Sequence, residues 1–391
     1  MVWARGSGAV LFAAVFVLAA LLAFFAPLGL APLAALAGLA CLPAPRAPLP
    51  KGAAVGFGVL FLWAGVSLAW SPARPWLGAG SLLSAIEHVT LAELVGLCVL
   101  AALAVRAALA LTPAEAALPA SALRWSVLGL AVLLVVESAE RGWLYGALAR
   151  SLQPGETADR VRIYAARGGY VLAVFTWPWL CTLSGRGRWF ASAPFLAALG
   201  VCGLLGQDAP LAAVVVGAAA FALAFTAGRT GVAVLGAAQA AFWLGAPWAV
   251  RLAETIAPPG RLPLKPSWSA RLQIWRFAVD RIAEHPWRGW GMDAARAFGD
   301  RIPLHAHNWS LQLWLELGLP GVIVVTALWL GLLRRVATIQ DRFQRAAAAA
   351  GISAYLAIGA VSFGLWQAWW LAAGVLAALG AIVAARSAAR S

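Results

Sequence analysis

The chain has 391 residues, 63% apolar and only 11% charged, with a mean hydropathy of +0.84. A soluble domain covers its surface with about 25% charged residues, so a soluble globular fold is excluded. The formal charge of +14 is scattered between apolar runs and forms no basic stripe, which argues against a nucleic-acid partner.

In chain order, Met1 to Arg5 leads into an apolar run at 8–28. That run is longer than the core of a cleaved signal peptide and is read as an uncleaved first span. Further runs fall at 30–43, 52–70, 89–105, 121–137, 168–184, 190–206, 209–227, 231–250, 319–333, 347–364 and 366–385. About 20 apolar residues cross a hydrocarbon layer about 30 Å thick, and backbone groups in lipid must be satisfied internally. The runs therefore predict an all-α polytopic integral membrane protein with about twelve transmembrane helices. Its 21 tryptophans suit interfacial belts. Cys41, Cys98, Cys181 and Cys202 lie in or beside apolar runs without metal-ligand spacing and read as small hydrophobes.

The organisation expected is helices 1–5 in 1–137, a first long loop at 138–167, helices 6–9 in 168–250, a second long loop at 251–318, and helices 10–12 with a tail in 319–391. With the N-terminus inside, fourteen basic residues from Arg5 to Arg390 fall in inside loops, and the short outside loops hold only Arg74. The positive-inside rule then makes both termini cytoplasmic and turns both long loops outward. In the second loop, residues 269–284 carry Leu272, Trp275, Ala278, Val279 and Ile282 on one helical stripe, predicting an amphipathic helix along the outer surface. Pro286 ends it, and Gly289 and Gly291 mark a turn.

Chemistry concentrates where the second loop meets the tenth span, at His305, His307, Asn308, Gln312, Glu316, Gly318 and Gly321. Asn308 or Ser310 can cap a helix that exits at Gly318. His307 then sits at a helix N-terminus, whose positive end disfavours imidazolium and keeps the ring neutral, as a general base requires. The bland alternative is a histidine satisfied by a loop carbonyl. A metal site is the weaker reading, because His305 and His307 have only Asp293 or Asp300 nearby as a third ligand. Arg167 precedes Gly168 and Gly169 at the start of the sixth span, and Arg271 and Arg276 lie on the surface helix. Guanidinium suits a diphosphate at a membrane surface, although headgroup anchoring would place arginines there too. No Asp-x-Asp, Walker or Gly-x-Ser-x-Gly motif is present.

His307-Asn308, nine residues, then Gly318-x-x-Gly321 resembles the signature of bacterial O-antigen ligases, a family that also holds O-antigen polymerases. The run Arg271-x-x-x-Trp275 followed by His285-Pro286-x-x-Gly289-x-Gly291 is similar to the second outer loop of that family, and the topology agrees. The resemblance implies a GT-C-like helical fold, an active site on the periplasmic side of the bacterial inner membrane, and inverting transfer that needs no metal and no cofactor. It implies an undecaprenyl-diphosphate-linked polysaccharide as donor and lipid A-core as acceptor. His307 would be the base. Arg167 and Arg271, with Arg276, would hold the diphosphate, and Asn308 and His305 would complete the substrate site. A polymerase differs only in its acceptor. A transporter or flippase is the rival of another class, but carriers place ionisable groups near the midplane, and these spans hold almost none beyond Glu93.

Overall fold

A computed structural model describes residues 6–73, 90–139, 143–152, 158–183, 192–204, 206–256 and 265–388. Among these residues the regular structure is helical, with no strand. The helices are α1 (Ser7–Phe25), α2 (Leu30–Ala40), α3 (Lys51–Ser67), α4 (Thr90–Ala110), α5 (Pro113–Ala139), α6 (Trp143–Leu152), α7 (Ala158–Cys181), α8 (Ser192–Leu204), α9 (Asp208–Thr226), α10 (Gly228–Ile256), α11 (Pro266–Glu284), α12 (Trp309–Ala337), α13 (Arg342–Gly359) and α14 (Ala368–Ala388). Each of the twelve apolar runs carries a helix. Eight helices among the described residues are long and apolar enough to cross a membrane, and Pro27–Ala40 and Ser192–Leu204 are shorter apolar ones. The protein is a polytopic helical membrane protein.

Small residues let the helices approach. In α9 five of the seven buried positions are small, Ala209, Ala213, Gly217, Ala220 and Ala224, and α9 packs against α13, where Ala346, Ala349, Ala350 and Ala354 are fully buried. Lipid tails are as apolar as leucine, so helices in a bilayer associate through such close backbone contact.

The first long loop departs from expectation. Residues 143–152 and 158–167 are helical, and Arg167 lies inside α7 instead of before it. Gly168 and Gly169 do not open the span. A Cβ at Gly168 would lie 2.9 Å from Leu134 and 3.2 Å from the Ala23 carbonyl, so this glycine serves close helix packing. Glu137, fully buried at the end of α5, accepts from the N–H groups of Leu144 and Tyr145 at 3.0 and 2.9 Å. Its carboxylate satisfies the first turn of α6, where the helix dipole favours negative charge.

The tenth span begins earlier than its apolar run, because α12 is two helices joined at Gly318. Gly318 sits at φ 61°, ψ −164°, a conformation essentially confined to glycine. The break leaves carbonyls that need donors inside the bundle. Trp290 N–H bonds the Leu315 carbonyl at 2.7 Å, Gly291 N–H bonds that of Glu316 at 2.8 Å, and Trp63 Nε1 bonds that of Leu317 at 2.8 Å. Gly289 lets the loop come this close, since a Cβ there would stand 2.4 Å from the Glu316 carbonyl. The glycines after His285 and Pro286 thus latch the break, and every residue from Asn308 to Gly318 is buried. Helix α11 forms as the periodicity predicts, with Ala278, Val279 and Ile282 buried, and packs against α10 and α12.

Candidate active site

Three segments meet at one end of the bundle: the loop 302–308, the first part of α12, and the link 360–367 between α13 and α14. Asn308 is the N-cap of α12, its side chain accepting from Leu311 N–H at 3.0 Å. That bond is an ordinary cap and gives Asn308 a structural task. His307, the residue before the cap, has φ 52°, an uncommon backbone for a side chain of this size. Its N–H donates to His305 Nδ1 at 3.2 Å, and the two rings lie 4.1 Å apart, so the turn places one imidazole over the other.

The hydrogen bonds fix both tautomers. His307 Nδ1 lies 2.6 Å from the Ser362 carbonyl, which can only accept. Nδ1 therefore carries the proton, and Nε2 keeps its lone pair. In His305, Nδ1 receives the His307 N–H, so Nε2 is protonated; the Gln367 amide nitrogen stands 3.0 Å from it, and turning the amide over lets its otherwise unpartnered oxygen accept. The amide oxygen is the matching partner there. Both rings are neutral at pH 7. Burial is the first cause of the lowered pKa of His307, opposed by the Ser362 carbonyl and assisted by the charge of Arg271. His305 is pushed down to about 3, by burial first, then by His307, Arg271 and Arg296.

The link is held in place by α12. Glu316, fully buried, accepts from Trp366 Nε1 at 2.5 Å, Gln312 Nε2 at 3.3 Å, Asp293 N–H at 3.2 Å and Ala295 N–H at 3.4 Å. Gln312 in turn accepts from Leu365 N–H at 2.8 Å. Gln312 and Glu316 thus fasten the segment whose Ser362 carbonyl orients His307. Both lie in the stretch where the sequence concentrates its chemistry, but neither was given a role there. The signal was their spacing of four on the first turns of a capped helix, immediately after the His-Asn pair.

The arginines divide. Arg271, half-buried on α11, lies over Trp268 at 5.2 Å and close enough for its charge to depress both imidazoles. Its Nε has no hydrogen-bond partner among the described residues. Arg167 lies over Trp369 at 5.8 Å. Trp369 packs on Phe363, next in chain to Ser362, and Phe363 packs on Tyr170, one turn beyond Arg167 on α7. Arg167 therefore stands on the aromatic cluster behind the His307 carbonyl partner. Arg276 is elsewhere: five residues from Arg271, it lies about 140° around the helix and pairs with Glu254 at 2.6 Å.

The sequence comparisons bear on this constellation. Residues 171–326 match the O-antigen ligase family. Over that stretch, 156 of the 391 residues, the chain is similar to the O-antigen ligase family. The family region holds Arg271, Arg276, His305, His307, Asn308 and Glu316, while Arg167 and the link at 360–367 lie outside it. Curated proteins of Rickettsia conorii and Rickettsia felis, whose names carry the words polysaccharide ligase, are each 32% identical over 128 residues, covering 29% of this chain and 31% of each relative. A Rickettsia bellii protein with the same words in its name is 33% identical over 129 residues, covering 29% of this chain and 31% of its own length. The match thus spans about a third of these relatives.

Proposed function

We propose that the protein is a membrane glycosyltransferase that moves an undecaprenyl-diphosphate-linked O-antigen polysaccharide onto a sugar hydroxyl of lipid A-core, at the periplasmic face of the inner membrane. The observation that carries this reading is the bond from His307 Nδ1 to the Ser362 carbonyl at 2.6 Å, which leaves a neutral Nε2 as base within reach of the charge of Arg271. Both termini are cytoplasmic in this reading.

In the reaction, the acceptor hydroxyl attacks the anomeric carbon of the donor sugar from the face opposite the diphosphate. The new C–O bond forms as the bond from the anomeric carbon to the phosphate oxygen breaks. The hydroxyl proton passes to His307 Nε2, and undecaprenyl diphosphate leaves with the bonding electrons. One displacement inverts the anomeric centre. Arg271 and Arg167 hold the diphosphate and offset the charge that gathers as it leaves, the task of a divalent ion in many transferases. In a partly desolvated site each such charge acts more strongly than in water. Arg276 supports α11 through Glu254 and is left out of the diphosphate site.

The test is transfer by the purified full-length protein in EDTA, with lipid-linked polysaccharide and lipid A-core as substrates. Removing a general base costs about 10²- to 10⁴-fold, so His307→Ala is expected to lose at least the lower figure. An active His307→Ala variant would remove the proposed base.

A further inference from the structure

A cavity of about 620 Å³ opens beside the histidine pair. Its lining includes His305 and Trp369 but none of His307, Arg271 and Arg167. Its volume lies in the range of small-ligand sites. The chemistry of its walls selects among the ligands the reaction requires. Glu93 and Asp293 present two carboxyl groups against one guanidinium, Arg296, which stands 3.7 Å from Asp293, while Glu316 behind them is taken up by its protein donors. A diphosphate would meet net like charge there. A polyprenyl tail would strip water from those carboxyl groups without replacing its hydrogen bonds. A neutral sugar meets neither obstacle. Its hydroxyls donate to carboxylate oxygens and exchange hydrogen bonds with the amide of Gln367, while its C–H face lies on the half-buried indole of Trp366.

We infer that this cavity is the acceptor-saccharide site, which takes neutral sugars at the end of the glycan that receives the transferred chain. The inference rests on the transferase reading above and adds where its second substrate binds. The His305 ring on the cavity wall has its centroid 4.1 Å from that of the base, so a sugar seated against His305 is a neighbour of His307 across that ring. Acceptor and donor then reach His307 from different quarters, the acceptor through the carboxylate-lined cavity and the donor diphosphate from Arg271 and Arg167. Glu93 is exposed at the start of α4, so it is open to a ligand and its replacement leaves the packing intact. Asp293 holds a left-handed backbone at φ 63°, which asparagine also adopts readily.

The experiment measures binding and does not depend on turnover. De-lipidated core oligosaccharide is titrated into the full-length protein in nanodiscs, and undecaprenyl-diphosphate-linked glycan is titrated separately. Glu93→Gln and Asp293→Asn are each expected to weaken oligosaccharide binding about tenfold, the loss of roughly one charge-assisted hydrogen bond, and to leave donor binding within about twofold, which also reports intact folding. Arg271→Ala is expected to do the reverse. Oligosaccharide binding that neither cavity variant changes, or that is undetectable in the wild type at millimolar concentration, would overturn the acceptor site. Failure of the transferase reading shows elsewhere, as transfer that survives His307→Ala.

Discussion

The two ends of the bundle use arginine differently. At one end, Arg106 Nε donates to the Ala47 carbonyl and Arg386 Nε to that of Leu111, each at 2.8 Å. Arg345 reaches the Ile339 carbonyl at 2.8 Å, and Arg124 bonds that of Thr182. Each of these guanidinium groups caps a chain end or a link with a carbonyl in need of a donor, a structural task. At the other end, Arg271 lies over Trp268 with its charge on the two imidazoles, Arg167 stands over an indole, and the surrounding loops hold histidine, carboxyl and amide side chains. Charge counting assigns these arginines to opposite sides of the membrane. What separates them is what they lie beside: carbonyls of helix ends and links in the first set, the histidine pair and its aromatic support in the second.

The comparison breaks most readily at Arg271. Arg271→Ala is expected to lower transfer about 10²- to 10³-fold, the effect of removing one donor to a developing charge, measured with purified protein at saturating donor and acceptor. A loss below about threefold would put Arg271 in the structural class. A smaller effect is expected at Gln312→Met, which leaves the Leu365 N–H without its acceptor and removes one donor to Glu316. An orphaned buried N–H costs about 1–3 kcal/mol. We expect kcat to fall about tenfold through a displaced Ser362 carbonyl, with donor binding unchanged. The smallest effect belongs to Arg276→Ala, whose partner Glu254 is partly exposed. A pair of that kind contributes about 0–1 kcal/mol, so activity should stay within about twofold, read in the same transfer assay. A large loss there would return Arg276 to the diphosphate site.

Much of the fold was legible in the sequence because hydrophobic run length is a local property. Each apolar run carries a helix, and the His-Asn and paired-glycine motifs sit together. Local patterns also set the stripe on α11. The misread elements depended on distant partners. Gly168 and Gly169 were placed at the start of a span because the reason Gly168 is glycine lies on Leu134 and Ala23, on other helices. Glu316 looked like a residue at the edge of a span, and its four donors come from α12 itself and from segments near residues 293–295 and 366. Ser362 could not be found at all, since it contributes a backbone carbonyl and any residue has one. Arg271 and Arg276 were placed on one surface helix, where a spacing of five turns them about 140° apart, one toward the imidazoles and the other to Glu254.

The most direct measurement is the pH profile of kcat/KM for transfer, in the wild type and in His307→Gln. A folded-state histidine with a lowered pKa stays neutral as pH falls through the ordinary value of about 6.5, so wild-type activity should hold through that point and decline only at lower pH. The residual activity of His307→Gln should lose that acid limb. A wild-type limb centred above 6.5, or a limb unchanged in the variant, would mean that the proton of the acceptor hydroxyl goes somewhere other than the imidazole at 307.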